Sequence, residues 1–130
     1  MSDDLTGRWI GRYAYAAGGA PVPFEVDLLH RGDLLDGKVT EPNTFRHAAG
    51  PELVAAITGR VADDLVTFTK RYIGLPDRDH PRYEGRLAIS GNRIAGTWRL
   101  DRPGWLTGSF TMARKPRAAA RAARRAAAPA

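Results

Sequence analysis

Apolar and polar side chains alternate with a period of two residues along most of the chain, between short clusters of Gly, Pro, Asn and Asp. Such alternation is typical of β-strands with one buried face, and the clusters contain the residues that favour turns. The pattern predicts strands at residues 6–16, 21–30, 34–41, 53–62, 65–73, 83–90, 93–100 and 105–114. Because similar strands follow one another directly, we predict an all-β fold, an eight-stranded up-and-down antiparallel β-barrel without exposed sheet edges.

The alternation also indicates which face of each strand points into the barrel. One set of alternate positions is almost entirely apolar, whereas the other set carries most of the charged side chains of the strands. A register shifted by one residue would exchange the two sets, so the contrast supports the assignment. Two charged residues, Glu41 and Lys70, belong to the inward set. At one end of the barrel the inward set forms an apolar floor that includes Trp9, Val26 and Ile89.

The connections predict one open end and one closed end. In an up-and-down barrel alternate connections share an end, which places the two longest, 42–52 and 74–82, together and leaves tight turns opposite. Long loops over one end are typical of a ligand entrance. We therefore expect the polar and aromatic inward side chains near it to form the site. The catalytic candidates are Tyr13, Tyr15, Glu41 and Lys70. The ligand-binding candidates are Phe24, Phe68, Tyr72, Tyr83, Trp98 and Trp105.

The two inward charges have alternative interpretations. Burial would shift each group towards its neutral form, whereas pairing would keep both ionised. As a pair they would polarise a ligand or exchange protons with it. Alternatively, both groups lie at a water-exposed rim, and the flexible Lys70 side chain extends outward to solvent.

Composition restricts the class of protein. The chain has 130 residues, enough for one compact domain, and it has no cysteine for disulfides, thiolate metal sites or nucleophiles. No apolar run is long enough for a transmembrane helix, and the acidic start does not resemble a secretory signal. We expect a cytoplasmic protein without a membrane partner.

The formal net charge of +6 belongs to the C-terminal end of the chain. Residues 114–130 contain six basic residues and no acid, which leaves 14 basic and 14 acidic residues in 1–113. We therefore predict a barrel domain at 1–115 and a basic Ala/Arg-rich tail at 116–130, disordered or helical. The tail is either a solvated segment or a contact for a polyanion.

Short motifs in the first and last strands resemble those of calycins. Gly7-Arg8-Trp9 and Arg114 are similar to the G-x-W motif and the last-strand basic residue that pack together in lipocalins and fatty-acid-binding proteins. Among calycins, avidins are similar in size, and Arg93-Ile94-Ala95-Gly96-Thr97-Trp98 resembles their penultimate strand. Their biotin-binding residues are replaced here, by Gly11 and Tyr15 in the first strand and by Phe68 and Tyr83 in the middle strands. Biotin binding is therefore not expected.

A second resemblance is to an enzymatic calycin-like group. Tyr13-Ala14-Tyr15, followed by a glycine turn and Pro23-Phe24-Glu25-Val26, resembles the tyrosine pair of phenolic acid decarboxylases. In that family two tyrosines hold the substrate carboxylate and a glutamate transfers the proton, which implies that role for Glu41. The family's arginine has no counterpart, and Lys70 is the nearest substitute.

These observations favour a barrel that binds a small, partly apolar molecule, without a cofactor. The alternative is a small barrel enzyme, such as a decarboxylase, isomerase or cyclase, using the rim tyrosines with Glu41 and Lys70. A metal site is a further hypothesis, since His47 and His80 fall in the two long loops near Glu41. The oligomeric state stays open, because Trp105 could cover its own barrel or that of a second copy.

Overall fold

Eight strands form one closed sheet in this protein. A computed structural model describes residues 4–43, 50–74, 80–100 and 106–115. The strands are β1 (Gly7–Tyr15), β2 (Val22–Arg31), β3 (Leu34–Pro42), β4 (Glu52–Ala62), β5 (Leu65–Tyr72), β6 (Arg82–Leu87), β7 (Arg93–Leu100) and β8 (Leu106–Arg114). Each strand pairs with the next in antiparallel orientation, and β8 pairs with β1. The predicted up-and-down barrel is confirmed. None of the described residues forms a helix that is long and apolar enough to cross a membrane.

The face assignment agrees with the alternation of the sequence. In β2 the inward residues Val22, Phe24, Val26 and Leu28 are buried, and the residues between them are exposed.

Tight turns join strands at one end of the barrel, where Gly32 and Asp63 have left-handed backbone conformations with φ of 61° and 55°. Two-residue hairpin turns favour residues that tolerate positive φ.

One inward prediction, Ile89, is wrong. Strand β6 ends at Leu87 rather than at residue 90, and the chain turns before β7 begins. The Ala88 amide donates to the Arg93 carbonyl at 2.8 Å, and the Gly91 amide donates to the Ala88 carbonyl at 2.9 Å. This longer turn removes Ile89 from the alternation of the strand, so its side chain is fully exposed.

Leu5, Trp9 and Arg114 close the end of the barrel that carries the tight turns. Leu5 precedes β1 and is fully buried, and its carbonyl accepts a hydrogen bond from the Trp9 indole at 2.9 Å. The Arg114 guanidinium lies 4.8 Å from the centre of the Trp9 ring. It also donates hydrogen bonds to the carbonyl oxygens of Asp4, Thr6 and Gly91 and to the side chain of Asn92. The packing that the calycin motif implies for Trp9 and Arg114 is present, and the sequence pattern did not predict the burial of Leu5.

The opposite end carries the connections 16–21, 43–51, 73–81 and 101–105. The predicted site residue Trp105, the candidate metal ligand His47 and the predicted tail 116–130 lie outside the described residues. The predictions for these positions therefore stay predictions.

Replacing Arg114 with Met should weaken the closed end, because several charge-assisted hydrogen bonds and the contact with Trp9 are lost together. We expect the free energy of unfolding to fall by about 3 kcal/mol, since a hydrogen bond to a charged group stabilises a protein more than a hydrogen bond between neutral groups. Urea denaturation followed by tryptophan fluorescence measures the change. The exposed Arg93→Met variant is the matched control, and an equal loss in both variants would contradict the role of Arg114.

Candidate functional site

A fully buried ion pair lies inside the barrel towards the end with the long connections. Lys70 of β5 and Glu41 of β3 reach each other across the inward face of β4, with 2.7 Å between Nζ and Oε1. Both side chains are almost completely inaccessible to solvent, at 1% and 0% exposure. The alternative in which Lys70 extends outward to water is therefore wrong, because its ammonium group pairs with the Glu41 carboxylate in the interior.

Two tyrosines complete the hydrogen bonding of the carboxylate. The Tyr13 hydroxyl donates to Oε2 of Glu41 at 2.8 Å, and the Tyr72 hydroxyl lies 3.1 Å from both carboxylate oxygens. Lys70 also contacts Tyr72, with 3.4 Å between Nζ and the hydroxyl oxygen. Glu41 thus has three donors around its two oxygens, which is the satisfied arrangement that a buried charge requires.

Aromatic rings surround the Lys70 ammonium group. Its nitrogen lies 4.5 Å from the ring centre of Tyr13, 5.0 Å from those of Phe24 and Tyr83, and 5.4 Å from that of Tyr72. A cation within about 6 Å of an aromatic face is attracted by the electron density of the ring. The four rings and Glu41 therefore replace much of the hydration that Lys70 loses on burial.

Two inward glycines make room for aromatic members of this site. A Cβ atom at Gly11 would collide with the ring of Phe24, and one at Gly108 would lie 2.6 Å from the indole nitrogen of Trp98. The Trp98 indole crosses Gly108 and donates to the carbonyl of Ala14 at 3.2 Å. The sequence pattern placed these glycines in the strands without showing that each one accommodates a particular ring.

The remaining candidates form a continuous aromatic cluster above and beside the ion pair. Tyr15 is half-buried and meets Trp98 edge to face at 5.2 Å and Tyr13 at 5.9 Å between ring centres. Tyr83 stacks on Phe68 at 4.8 Å and lies 6.5 Å from Trp98. The structure therefore brings together all the predicted site residues that it describes, whereas Trp105 lies outside the described residues and the roles of all of them stay predictions.

The site is electrically neutral as a whole. Burial raises the pKa of Tyr13, Tyr72 and Tyr83, and the negative charge of Glu41 raises it further, so these hydroxyls keep their protons. Burial lowers the pKa of Lys70, and the adjacent carboxylate opposes that shift. As an ion pair, Lys70 and Glu41 carry opposite charges that cancel, and the neutral tyrosines supply hydrogen-bond donors.

The metal hypothesis gains no support from the part of the chain that the structure describes. Within those residues, no cluster of three or more His, Cys, Asp or Glu side chains could hold a metal ion. Glu41, which the hypothesis needs as a metal ligand, already accepts hydrogen bonds from Lys70, Tyr13 and Tyr72. His47 is outside the described residues, so its role stays untested.

Comparison with known proteins does not assign the chain to a family. No protein-family model matches the chain, and no curated protein sequence matches it either. The barrel and the packing of Trp9 with Arg114 are structural findings, whereas the relationship to calycins is still an inference from short motifs.

The four tyrosines of the chain are all members of this site, so their ionisation reports on it directly. Because their folded-state pKa is raised, the stability they contribute is present below pH 10, the usual tyrosine value, and is lost as the pH rises beyond it. In an alkaline titration, phenolate absorbance should rise little until the barrel unfolds, and then rise together with the loss of near-ultraviolet circular dichroism. A gradual rise near pH 10 in the folded protein that corresponds to more than one tyrosine would contradict the burial of the Tyr13, Tyr72 and Tyr83 hydroxyls, because Tyr15 alone among the four is only half-buried.

Removing one partner of the ion pair should destabilise the barrel far more than removing both charges. Glu41→Gln or Lys70→Met leaves one buried charge without its partner, and each should lower the free energy of unfolding by about 3–5 kcal/mol. The double variant should lose less than the sum of the two. Urea denaturation tests this cycle, with Glu25→Gln as the control, because Glu25 forms an exposed ion pair that contributes about 1 kcal/mol or less. If the double variant loses as much unfolding free energy as the two single variants together, the result would contradict a direct interaction between Glu41 and Lys70.

Proposed function

We propose that the protein binds a small, partly apolar and uncharged molecule at the end of the barrel that carries the long connections. The observation that carries this proposal is the buried pair of Glu41 and Lys70 within a ring of tyrosines, inside an otherwise apolar barrel. The free-energy cost of removing both charges from water offsets most of the attraction between them. A buried ion pair of this kind is therefore poorly explained by stability alone. An apolar pocket with a few convergent polar groups is the usual form of a small-molecule site.

The charge balance of the site indicates the chemistry of its ligand. Since the charges of Glu41 and Lys70 cancel, a charged ligand would bring an uncompensated charge into a buried environment. Glu41 already accepts hydrogen bonds from three donors, whereas Tyr15 is only half-buried. A carbonyl or ether oxygen that accepts from Tyr15, attached to an apolar group that packs against Trp98, fits these properties.

A small barrel enzyme is the second candidate function. The observation that favours it is the hydrogen bond of 2.8 Å between the Tyr13 hydroxyl and Glu41, which connects an acid and a base directly. Lys70, 2.7 Å from the same carboxylate, would stabilise negative charge that develops on a substrate. The resemblance to phenolic acid decarboxylases supports proton transfer by Glu41, although the arginine of that family has no counterpart here and Lys70 is only its nearest substitute.

Native mass spectrometry of the recombinant protein is the direct test of binding. Mass that is present in the native spectrum and absent after denaturation identifies a ligand, and an uncharged molecule with an oxygen acceptor is the expected result. Two results together would contradict the proposal. The native mass would equal that of the protein alone, and no compound in a set of neutral aromatic carbonyl compounds would change the tryptophan fluorescence saturably.

Tyr15→Phe should weaken the binding of such a compound by roughly tenfold, because one hydrogen bond is lost. The Thr111→Val variant removes one hydroxyl from the outer face of β8 and should bind with unchanged affinity. If the compound is instead consumed, Glu41→Gln distinguishes the two functions, since full turnover in that variant would remove Glu41 from the chemistry.

A further inference from the structure

The three lysines of the chain lie in different surroundings. Lys38 is exposed on the outer face of β3, and Lys115 follows β8 and is half-buried. Lys70 is only 1% exposed inside the barrel. A neutral lysine amine is a nucleophile, whereas a protonated one is not. The surroundings of Lys70 therefore determine whether it can react with a molecule that binds in the barrel.

A proton acceptor lies within hydrogen-bonding distance of the Lys70 amine. Oε1 of Glu41 is 2.7 Å from Nζ, so a proton can pass directly between the two groups. Burial lowers the pKa of Lys70, and the interaction with Glu41 opposes that shift without cancelling it. An apolar ligand that excludes water from the pair would favour the neutral amine and carboxylic acid further. Lys70 thus combines a desolvated amine with an adjacent base, as nucleophilic lysines do.

The side chains around the amine favour a particular kind of molecule. Four aromatic rings have their centres 4.5 to 5.4 Å from the nitrogen, those of Tyr13, Phe24, Tyr72 and Tyr83. Such rings pack well against a planar apolar group. The ring of Tyr13 also lies 5.9 Å from that of the half-buried Tyr15, the donor proposed above for the ligand oxygen. Tyr13 therefore contacts both the nucleophile and the position at which a carbonyl compound would bind.

We propose that Lys70 forms a Schiff base with an aldehyde that carries an aromatic or other planar apolar group. This inference rests on the proposed function, because the aldehyde has to bind in the barrel before it reaches the buried amine. Glu41 first takes a proton from the ammonium group, and Nζ then attacks the carbonyl carbon. As the C–N bond forms, the electron pair of the carbonyl π bond moves to the oxygen, which takes the proton from Glu41.

Loss of water completes the reaction. Glu41 removes a proton from the nitrogen and transfers it to the new hydroxyl group, which leaves as water while the nitrogen lone pair forms the C=N bond. The products are water and a protonated imine, and the positive charge of the imine is again opposite the Glu41 carboxylate. Because the aldehyde is uncharged, the net charge of the buried site is the same before and after the reaction.

Reductive trapping with benzaldehyde tests this inference on the full chain. Sodium cyanoborohydride converts an imine into a stable secondary amine, which intact-mass measurement and peptide mapping then locate. The expected result is one trapped benzyl group per chain, on Lys70. Glyoxylate, a charged aldehyde, is the control probe. It should label Lys38 and Lys115 and leave Lys70 unlabelled, because a charged molecule is not expected to enter the neutral buried site.

Two lysine variants identify the reacting amine. Lys70→Arg keeps a positive charge opposite Glu41 but has no amine that forms an imine, and it should lose the benzaldehyde label. Lys38→Arg is the matched control at an exposed lysine and should keep the label on Lys70. If Lys70→Arg does not fold, the peptide map of the unmodified sequence decides alone. Labelling that is confined to Lys38 and Lys115 would overturn the proposal.

Methyl benzoate separates a failure of this inference from a failure of the proposed function. It has the same ring and a carbonyl oxygen, but as an ester it does not form an imine under these conditions. If both compounds change the tryptophan fluorescence saturably and Lys70 carries no label, only the Schiff base is overturned. If neither compound changes the fluorescence saturably and Lys70 carries no label, the binding of aromatic carbonyl compounds is contradicted as well.

Discussion

Hydrogen bonding between β1 and β8 closes the sheet, and the interior of the molecule exists because of that closure. The pairing brings Arg114 opposite Trp9 at one end and Gly108 opposite Tyr15 at the other. At the first end the arginine and the indole hold residues 4–6 over the barrel by hydrogen bonds to their carbonyl oxygens. At the second, the absence of a side chain on Gly108 leaves room for Trp98 beside Tyr15.

Closure also explains how an ion pair can persist in the interior. Glu41 and Lys70 lie on strands separated by β4, and each charge is surrounded by partners from other strands. Tyr13 comes from β1 and Tyr72 from β5, while the ring of Phe24 comes from β2. A network assembled from so many strands holds only while all of them are in register, because each missing partner would leave a buried polar group unsatisfied.

The two faces of the same sheet carry different kinds of side chains. Inside, the cation of Lys70 and the anion of Glu41 lie 2.7 Å apart among aromatic rings. Outside, Arg82 of β6 and Arg99 of β7 lie opposite each other in the register. Adjacent residues such as Arg82 and Tyr83 have different surroundings, exposed and buried respectively, because successive side chains of a strand point to opposite faces.

The sequence by itself determined the eight strands, their order and the inward face, because alternation with a period of two follows directly from strand geometry. It also singled out Glu41, Lys70 and the aromatic residues around them. Only the tertiary structure decided that Glu41 and Lys70 are buried partners, that Leu5 is part of the core and that Ile89 leaves the strand for a turn. Alternation specifies the face of a side chain but not its depth or its partner, since both depend on how distant strands are staggered around the barrel.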